Sequence, residues 1–173
     1  MGIVPPEEYK EKIISFQRKW NKHLLCELAE PHITVKTQAG LTSDERWLEK
    51  AEEYTAQCPA FSVRLCEPEW FGKNVVYLSV KGRFLYDLHN NWVDIIFPDP
   101  KLSHRYFEKE HYIPHLTLGQ TVHGLTEKEL LEMEIKAEHL LHPYPAFVAE
   151  YIRVYKQKED GRYRKYTDLP LLK

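Results

Sequence analysis

Two short stretches of this chain carry chemistry-bearing side chains in the same order. Pro31-His32-Ile33-Thr34-Val35 returns 83 residues later as Pro114-His115-Leu116-Thr117-Leu118. A chance Pro-His-x-Thr is expected roughly once in several thousand positions at this composition, so two copies with apolar spacers are improbable. An imidazole titrates near neutrality, so one neutral histidine can take a proton while a second, protonated one gives a proton up. Threonine hydroxyls can donate to the non-bridging oxygens of a phosphate, where charge builds in a displacement at phosphorus. The combination suits phosphodiester chemistry without a metal. A single His-x-Thr stretch would read more simply as a partly buried histidine satisfied by backbone. The duplication favours a site.

The elements that must position these groups follow from the alternation. Ile33, Val35, Leu116 and Leu118 are apolar at every second position, which predicts two strands with one buried face each. Residues i and i+2 of a strand project the same way, so His32 and Thr34 share one space, as do His115 and Thr117. A proline fits as the first strand residue, where its missing N–H costs no ladder bond.

Two H-x-T-x motifs in one chain of this length, the second closing as Pro114-His115-Leu116-Thr117-Leu118-Gly119-Gln120, resemble the 2H phosphoesterase superfamily, which includes 2′-5′ RNA ligase-like proteins and cyclic nucleotide phosphodiesterases. The similarity is nearest to the small bacterial 2′-5′ RNA ligase-like branch and extends over most of the chain through the order of elements. It implies an α+β, bilobed fold, with two pseudo-symmetric lobes whose antiparallel sheets flank a central groove and whose helices lie outside. It also implies that His32 and His115 act as acid and base while Thr34 and Thr117 hold the phosphate.

Composition agrees with one such domain over residues 1–173. Hydrophobic residues make up 43% and charged residues 29%, enough for a sizeable core. The net charge of −2 marks the chain for neither duplex DNA nor an anionic membrane. A nucleotide or an RNA end is the expected partner, with the chain acting as a monomer and without a cofactor. Cys26, Cys58 and Cys66 are an odd number without Cys-x-x-Cys spacing, which argues against a disulfide framework or zinc knuckle and fits a reducing cytoplasm. No apolar run reaches transmembrane length, and the start has neither a signal peptide's shape nor a myristoylation pattern.

In chain order, Gly2-Ile3-Val4 reads as a short strand, where superfamily members usually begin with a longer one. Pro5-Pro6-Glu7-Glu8 opens a helix to about His23, burying Ile13, Phe16, Gln17 and Trp20. Lys36 continues the His32 face, where it either helps hold an anion or is solvated. Thr42 or Ser43 caps a helix from Asp44 to about Gln57, with Trp47, Leu48, Ala51 and Tyr54 inward. Phe61–Cys66 and Val75–Val80 are strands. Between them Trp70-Phe71-Gly72-Lys73-Asn74 reads as a loop, whose Phe71 or Trp70 either stacks a base or divides between core and edge. Arg83 to about Val93 is a helix, and Phe97-Pro98-Asp99-Pro100 breaks the chain. The charged segment that follows, with His104, Arg105, Lys109 and His111, reads as a loop before the second motif, and Arg105 is its candidate for phosphate contact.

Thr126 caps the next helix in a capping box with Glu129, its buried stripe being Leu130, Met133, Ala137, Leu140 and Leu141. His139 and His142 sit near its C-terminus, where a cation is favoured. The chain ends in a hairpin, Phe147–Lys158 and Arg162–Leu169, turned by Asp160-Gly161. Its basic residues Lys156, Lys158, Arg162, Arg164 and Lys165 read as edge protection rather than an RNA surface.

The expected function is a metal-independent phosphodiesterase. The resemblance implies action on 2′,3′-cyclic phosphates or 2′-5′-linked ribonucleotide ends. A rival is a binding module of the same fold that recognises nucleotide phosphates without turnover. A zinc hydrolase lacks support, since Pro114 separates His111 from His115 and no His-Glu-x-x-His occurs.

Overall fold

The computed structural model describes residues 1–96 and 99–173. In chain order the elements are β1 (Gly2–Ile3), α1 (Glu7–Gln17), α2 (Leu25–Leu28), β2 (Ile33–Thr34), α3 (Arg46–Thr55), β3 (Phe61–Phe71), β4 (Val75–Lys81), α4 (Leu85–Ile96), α5 (Pro100–Arg105), β5 (His115–Gln120), α6 (Glu127–Leu140), β6 (Ala146–Ala149), β7 (Tyr151–Gln157) and β8 (Tyr163–Pro170). Strands join into one antiparallel sheet of eight, in the order β6-β3-β4-β5-β2-β1-β7-β8. The two motif strands, β5 and β2, are neighbours at its centre. Four strands on one side and four on the other meet there through the pair Ile33↔Leu116, so the α+β, two-lobed expectation is met by a continuous sheet whose halves share a seam.

One face of the sheet carries the core. Ile3, Ile33, Leu116, Leu118, Leu78, Val63 and Ile152 point inward and are covered by Ile13 and Phe16 of α1, Leu85, Leu88 and Trp92 of α4, and Leu130, Met133 and Ala137 of α6. This period-2 pattern on the strands, matched by period-3.6 stripes on the helices, leaves the alternate strand residues on the other face. Thr126 starts α6 as read from its sequence: its hydroxyl accepts from Glu129 N while the Glu129 carboxylate accepts from Thr126 N. The three cysteines are free thiols. Among the described residues no helix is long and apolar enough to cross a membrane.

Several boundaries differ from the sequence reading. α1 stops at Gln17 rather than near His23, because Lys19 and Trp20 bond to the carbonyls three residues back and the tightened turn swings Trp20 edge-on against Phe16. α3 starts after Glu45, at φ 57, without a side-chain cap; Thr42 bonds to Asp44 instead. Leu140 is 42% exposed, one residue off the α6 stripe, while Leu141 is buried. The expected strand Phe147–Lys158 is two strands: β6 pairs with β3 at one edge of the sheet, and after Glu150 β7 pairs with β1 and β8 at the other side. The inward phase slips at Glu150, from Phe147 and Ala149 to Ile152 and Val154, but the nearly unbroken apolar run hides that crossing in the sequence. Residues 100–105, read as loop, are helical, with Asp99 accepting from Lys101 N at 2.7 Å and Pro100 as first helical residue. Phe97 and Pro98 of the expected chain break lie outside the described residues.

Candidate functional site

The register at the seam assembles the site. Ile33 faces Leu116 in an antiparallel pair, so continuing that register sets His32 opposite Thr117 and Thr34 opposite His115. Directly opposed side chains start about 4.5–5.5 Å apart at Cβ, and diagonal ones about 7–8 Å apart. The four groups therefore form the corners of a small quadrilateral, with the histidines on one diagonal and the threonines on the other. All four are half-buried, and the residues alternating with them are buried in the core.

Each histidine is held by the same local bond. His32 Nδ1 lies 2.8 Å from the Glu30 carbonyl and His115 Nδ1 lies 2.7 Å from the Ile113 carbonyl, in both cases the residue before the motif proline. A carbonyl oxygen can only accept, so Nδ1 carries the hydrogen and Nε2 is left with the lone pair. Among the described residues neither Nε2 nor either threonine hydroxyl has a protein hydrogen-bond partner.

Surroundings differ. The His32 ring lies over Gly2, where an added Cβ would stand 2.6 Å from His32 Cδ2, and against the Tyr155 ring at 4.8 Å between centroids. The Tyr155 hydroxyl donates to Glu30, whose carboxylate also accepts from Arg153 at 2.7 Å and Lys10 at 3.0 Å. Burial works to raise the Glu30 carboxyl, but the bonds from Arg153 and Lys10 outweigh it and hold it below the usual range. His115 instead meets aromatic edges, Phe71 at 4.9 Å and Tyr77 at 5.3 Å, and those two rings stack on each other at 4.0 Å. Burial lowers both imidazoles. It takes His32 to about 4, the bond to the Glu30 carbonyl opposing it and the charge of the Met1 N-terminus, more than that of His115, adding to the depression. His115 falls less, the Ile113 carbonyl opposing burial.

The other candidate residues divide. Phe71 belongs to this site. It is the last residue of β3 rather than part of a loop, so Trp70 and Phe71 project to opposite sides: Trp70 packs against the core while Phe71 turns to His115. Lys36 is neither solvated nor presented to the groove. Its ammonium is fully buried, 2.6 Å from Glu108 and 2.5 Å from the Ala39 carbonyl. The strand alternation was right to Thr34, but Val35 and Lys36 are both buried beyond it, because the chain leaves the sheet there. Arg105 is exposed at the end of α5, its guanidinium over Tyr106 at 5.9 Å, with no contact to the motif residues.

Sequence reasoning missed Gly2, Glu30, Tyr77 and Tyr155. Tyr77 and Tyr155 were legible as strand residues but not as neighbours of the histidines. Glu30 sits beside Pro31, yet its partners come from α1 and β7. Also missed was the brace behind β2. The Tyr112 hydroxyl donates to the Thr34 carbonyl at 2.9 Å, and His89 Nδ1 donates to the Val35 carbonyl at 2.6 Å while its Nε2 accepts from Lys109 N. The His89 and Tyr112 rings stack at 3.8 Å. Among the described residues no three His, Cys, Asp or Glu side chains come together as a metal-holding group.

A family model described as the 2′-5′ RNA ligase superfamily matches residues 5–161. The chain belongs to that superfamily. Solved structures agree on the fold. A Thermus thermophilus protein is similar with a TM-score of 0.68 at 14% identity, over 98% of this chain and 95% of that one. Escherichia coli LigT complexed with ATP gives 0.57 at 21% identity, over 99% and 95%. The same protein complexed with 3′-AMP gives 0.52 at 20% identity, over 99% and 96%. No curated protein matches in sequence. Superfamily membership makes the chain a 2H-type phosphoesterase in general class, and the histidine and threonine pairs at the seam are where its two motifs lie.

Proposed function

We propose that the protein is a metal-independent phosphodiesterase that opens 2′,3′-cyclic phosphates or cleaves 2′-5′-linked ribonucleotide ends by paired-histidine acid–base catalysis. The observation that carries the reading is the matched bonding of the two imidazoles. Each has its Nδ1 hydrogen committed to the carbonyl two residues back, and each keeps Nε2 free on the face it shares with two unpartnered threonine hydroxyls. The nucleotides bound to E. coli LigT support a nucleotide as the substrate class.

His32 is the group that stays neutral over the wider range, so Nε2 of His32 takes the proton from the attacking water. His115 is less depressed and gains a proton as the phosphate anion enters, since an adjacent negative charge favours imidazolium. Its Nε2–H then passes to the departing ribose oxygen as that P–O bond breaks. Thr34 and Thr117 donate to the non-bridging oxygens as charge builds there, each worth about 3 kcal/mol or less where water retains access. Phe71 gives a flat ring beside His115 for a base.

The test is turnover of a panel of 2′,3′-cyclic mononucleotides and of 2′-5′ and 3′-5′ dinucleotides, before and after exhaustive EDTA treatment. Hydrolysis of a cyclic phosphate or a 2′-5′ bond that survives chelation supports the reading. Activity lost on chelation and restored by zinc overturns it in favour of a metal hydrolase. Nucleotide binding without turnover across the panel marks a binding module.

A further inference from the structure

The acid–base step leaves one carboxylate near His115 without a role. In the register of the central strands Thr117 lies opposite Tyr77, and Tyr77 lies opposite Glu69. His32, Thr117, Tyr77 and Glu69 therefore form one row across β2, β5, β4 and β3, on the histidine face. Neighbouring strands stand about 4.8 Å apart, which puts Glu69 about 10 Å from Thr117. A nucleotide whose phosphate is held at the seam spans a similar distance to the outer edge of its base.

This row carries both a flat platform and a held acceptor. Phe71, two residues beyond Glu69 on the same face of β3, stacks over Tyr77 with the planes 24° apart and leaves Tyr77 only 3% exposed. Phe71 itself is half-buried. Centroid separations of 4.0 Å (Phe71–Tyr77), 4.9 Å (Phe71–His115) and 5.3 Å (Tyr77–His115) set His115 at the edge of the Phe71 ring, so the outer face of that ring remains for a base. The Tyr77 hydroxyl donates to Glu69 Oε2 at 3.2 Å. Burial, with the Glu69 charge adding to it, pushes that hydroxyl up to about 12, so it stays protonated at neutral pH and keeps the carboxylate oriented. Glu69 is exposed, and among the described residues its Oε1 has no hydrogen-bond partner and its carboxylate no ion pair.

We propose that Glu69 reads the base of the reacting nucleotide and that the base it selects is guanine, a specificity that rests on the phosphodiesterase reading above. An ionised carboxylate can only accept. Of the four RNA bases guanine alone presents two adjacent donors, N1–H and the N2 amino group, in the parallel arrangement that a carboxylate takes two at a time. Adenine and cytosine each offer one amino group beside a ring-nitrogen lone pair that the carboxylate repels. Uracil offers one N–H between two carbonyl oxygens and is the poorest match. Tyr77 is a positioning residue here: its hydroxyl occupies one lone pair of Oε2 and fixes the plane of the carboxylate against a base stacked on Phe71.

The experiment measures kcat and KM for guanosine and uridine 2′,3′-cyclic phosphates with the intact protein, E69Q and Y77F, each checked for a cooperative melting transition. The intact protein is expected to favour guanosine in kcat/KM by at least about tenfold, within the range that one bidentate contact gives. E69Q should bring that ratio to within about threefold of unity, because the amide sets a donor against a donor of the base. Y77F should lower the ratio by about threefold, since the carboxylate keeps its charge and loses its orientation. A ratio near one in the intact protein, a preference for uridine, or a ratio unchanged in E69Q overturns base reading by Glu69 and leaves the phosphodiesterase reading standing. An unchanged ratio in Y77F overturns the positioning role of Tyr77. If neither cyclic phosphate turns over, the phosphodiesterase reading fails, and isothermal titration with guanosine and uridine 3′-phosphates decides base reading alone. Tighter binding of the guanosine compound that is lost in E69Q supports it, and equal binding of the two, or none, overturns it.

Discussion

The two motif strands begin with the same residues and are supported in opposite ways. β5 is six residues long and pairs with β4 along its length, from Val75↔Gln120 to Ser79↔His115. β2 is two residues long, and its ladder consists of short pairings with β1 and β5. What β2 lacks in ladder bonds comes from side chains behind it: Tyr112 and His89 on its carbonyls, and the buried Lys36–Glu108 pair at its exit, which Thr37 and Ser103 also join. The local motif thus sets the tautomer of each histidine identically, while the means of holding the strand is left to different parts of the chain. It also follows that His32 and His115 differ in basicity, because the wall beside each is different.

The sharpest test of that asymmetry is removal of either imidazole. His32→Ala and His115→Ala should each lower kcat by about 10²–10⁴ without loss of fold, since both rings lie on the face away from the core. Their pH profiles should part. With the pair intact, kcat/KM should rise as His32 loses its proton near about 4 and fall as His115 loses its own, below the ordinary 6.5, giving an acidic optimum. Bound phosphate raises the alkaline limb in kcat. His115→Ala should abolish the alkaline limb and keep the acid one, and the reverse outcome would exchange the two roles.

Next in size is the brace. Glu108→Gln strands the buried Lys36 ammonium and should destabilise the protein by about 3–5 kcal/mol in chemical denaturation. The polar support behind β5 is slighter: Gln17 donates to the Leu118 carbonyl at 3.0 Å. Gln17→Leu should cost about 1 kcal/mol, the net worth of one such bond. Equal costs for the two changes would mean that β2 does not depend on its brace.

The two walls differ again at Gly2, which lies against His32 and not His115. The Cβ of Gly2→Ala would sit 2.6 Å from the His32 ring and 2.9 Å from the Ile33 carbonyl, so the ring must turn. We expect kcat to fall by about tenfold and stability by about 1–3 kcal/mol, the usual cost of overpacking. Ring movement should appear as a shifted acid limb in the pH profile. An unaltered limb with lowered stability would assign Gly2 to packing alone.

From the sequence alone came the two strands, the shared face of each His-Thr pair, the buried stripes of α1 (Ile13, Phe16, Gln17) and, but for Leu140, of α6, and the capping box at Thr126. These are matters of spacing along one element, where a period of 2 or 3.6 decides which side chains are neighbours. The superfamily was legible for the same reason, since its signature is two local motifs. Only the tertiary structure decided that β2 and β5 are adjacent, that Phe71 and Tyr77 rather than Trp70 wall His115, and that Gly2 and Tyr155 enclose His32. It also withdrew Lys36 from the site. A lysine at a strand end reads as solvated until its partner is known, and Glu108 is 72 residues away. Nothing in a residue's own neighbourhood along the chain records a contact closed at that distance, and such contacts determine how strongly each histidine holds its proton.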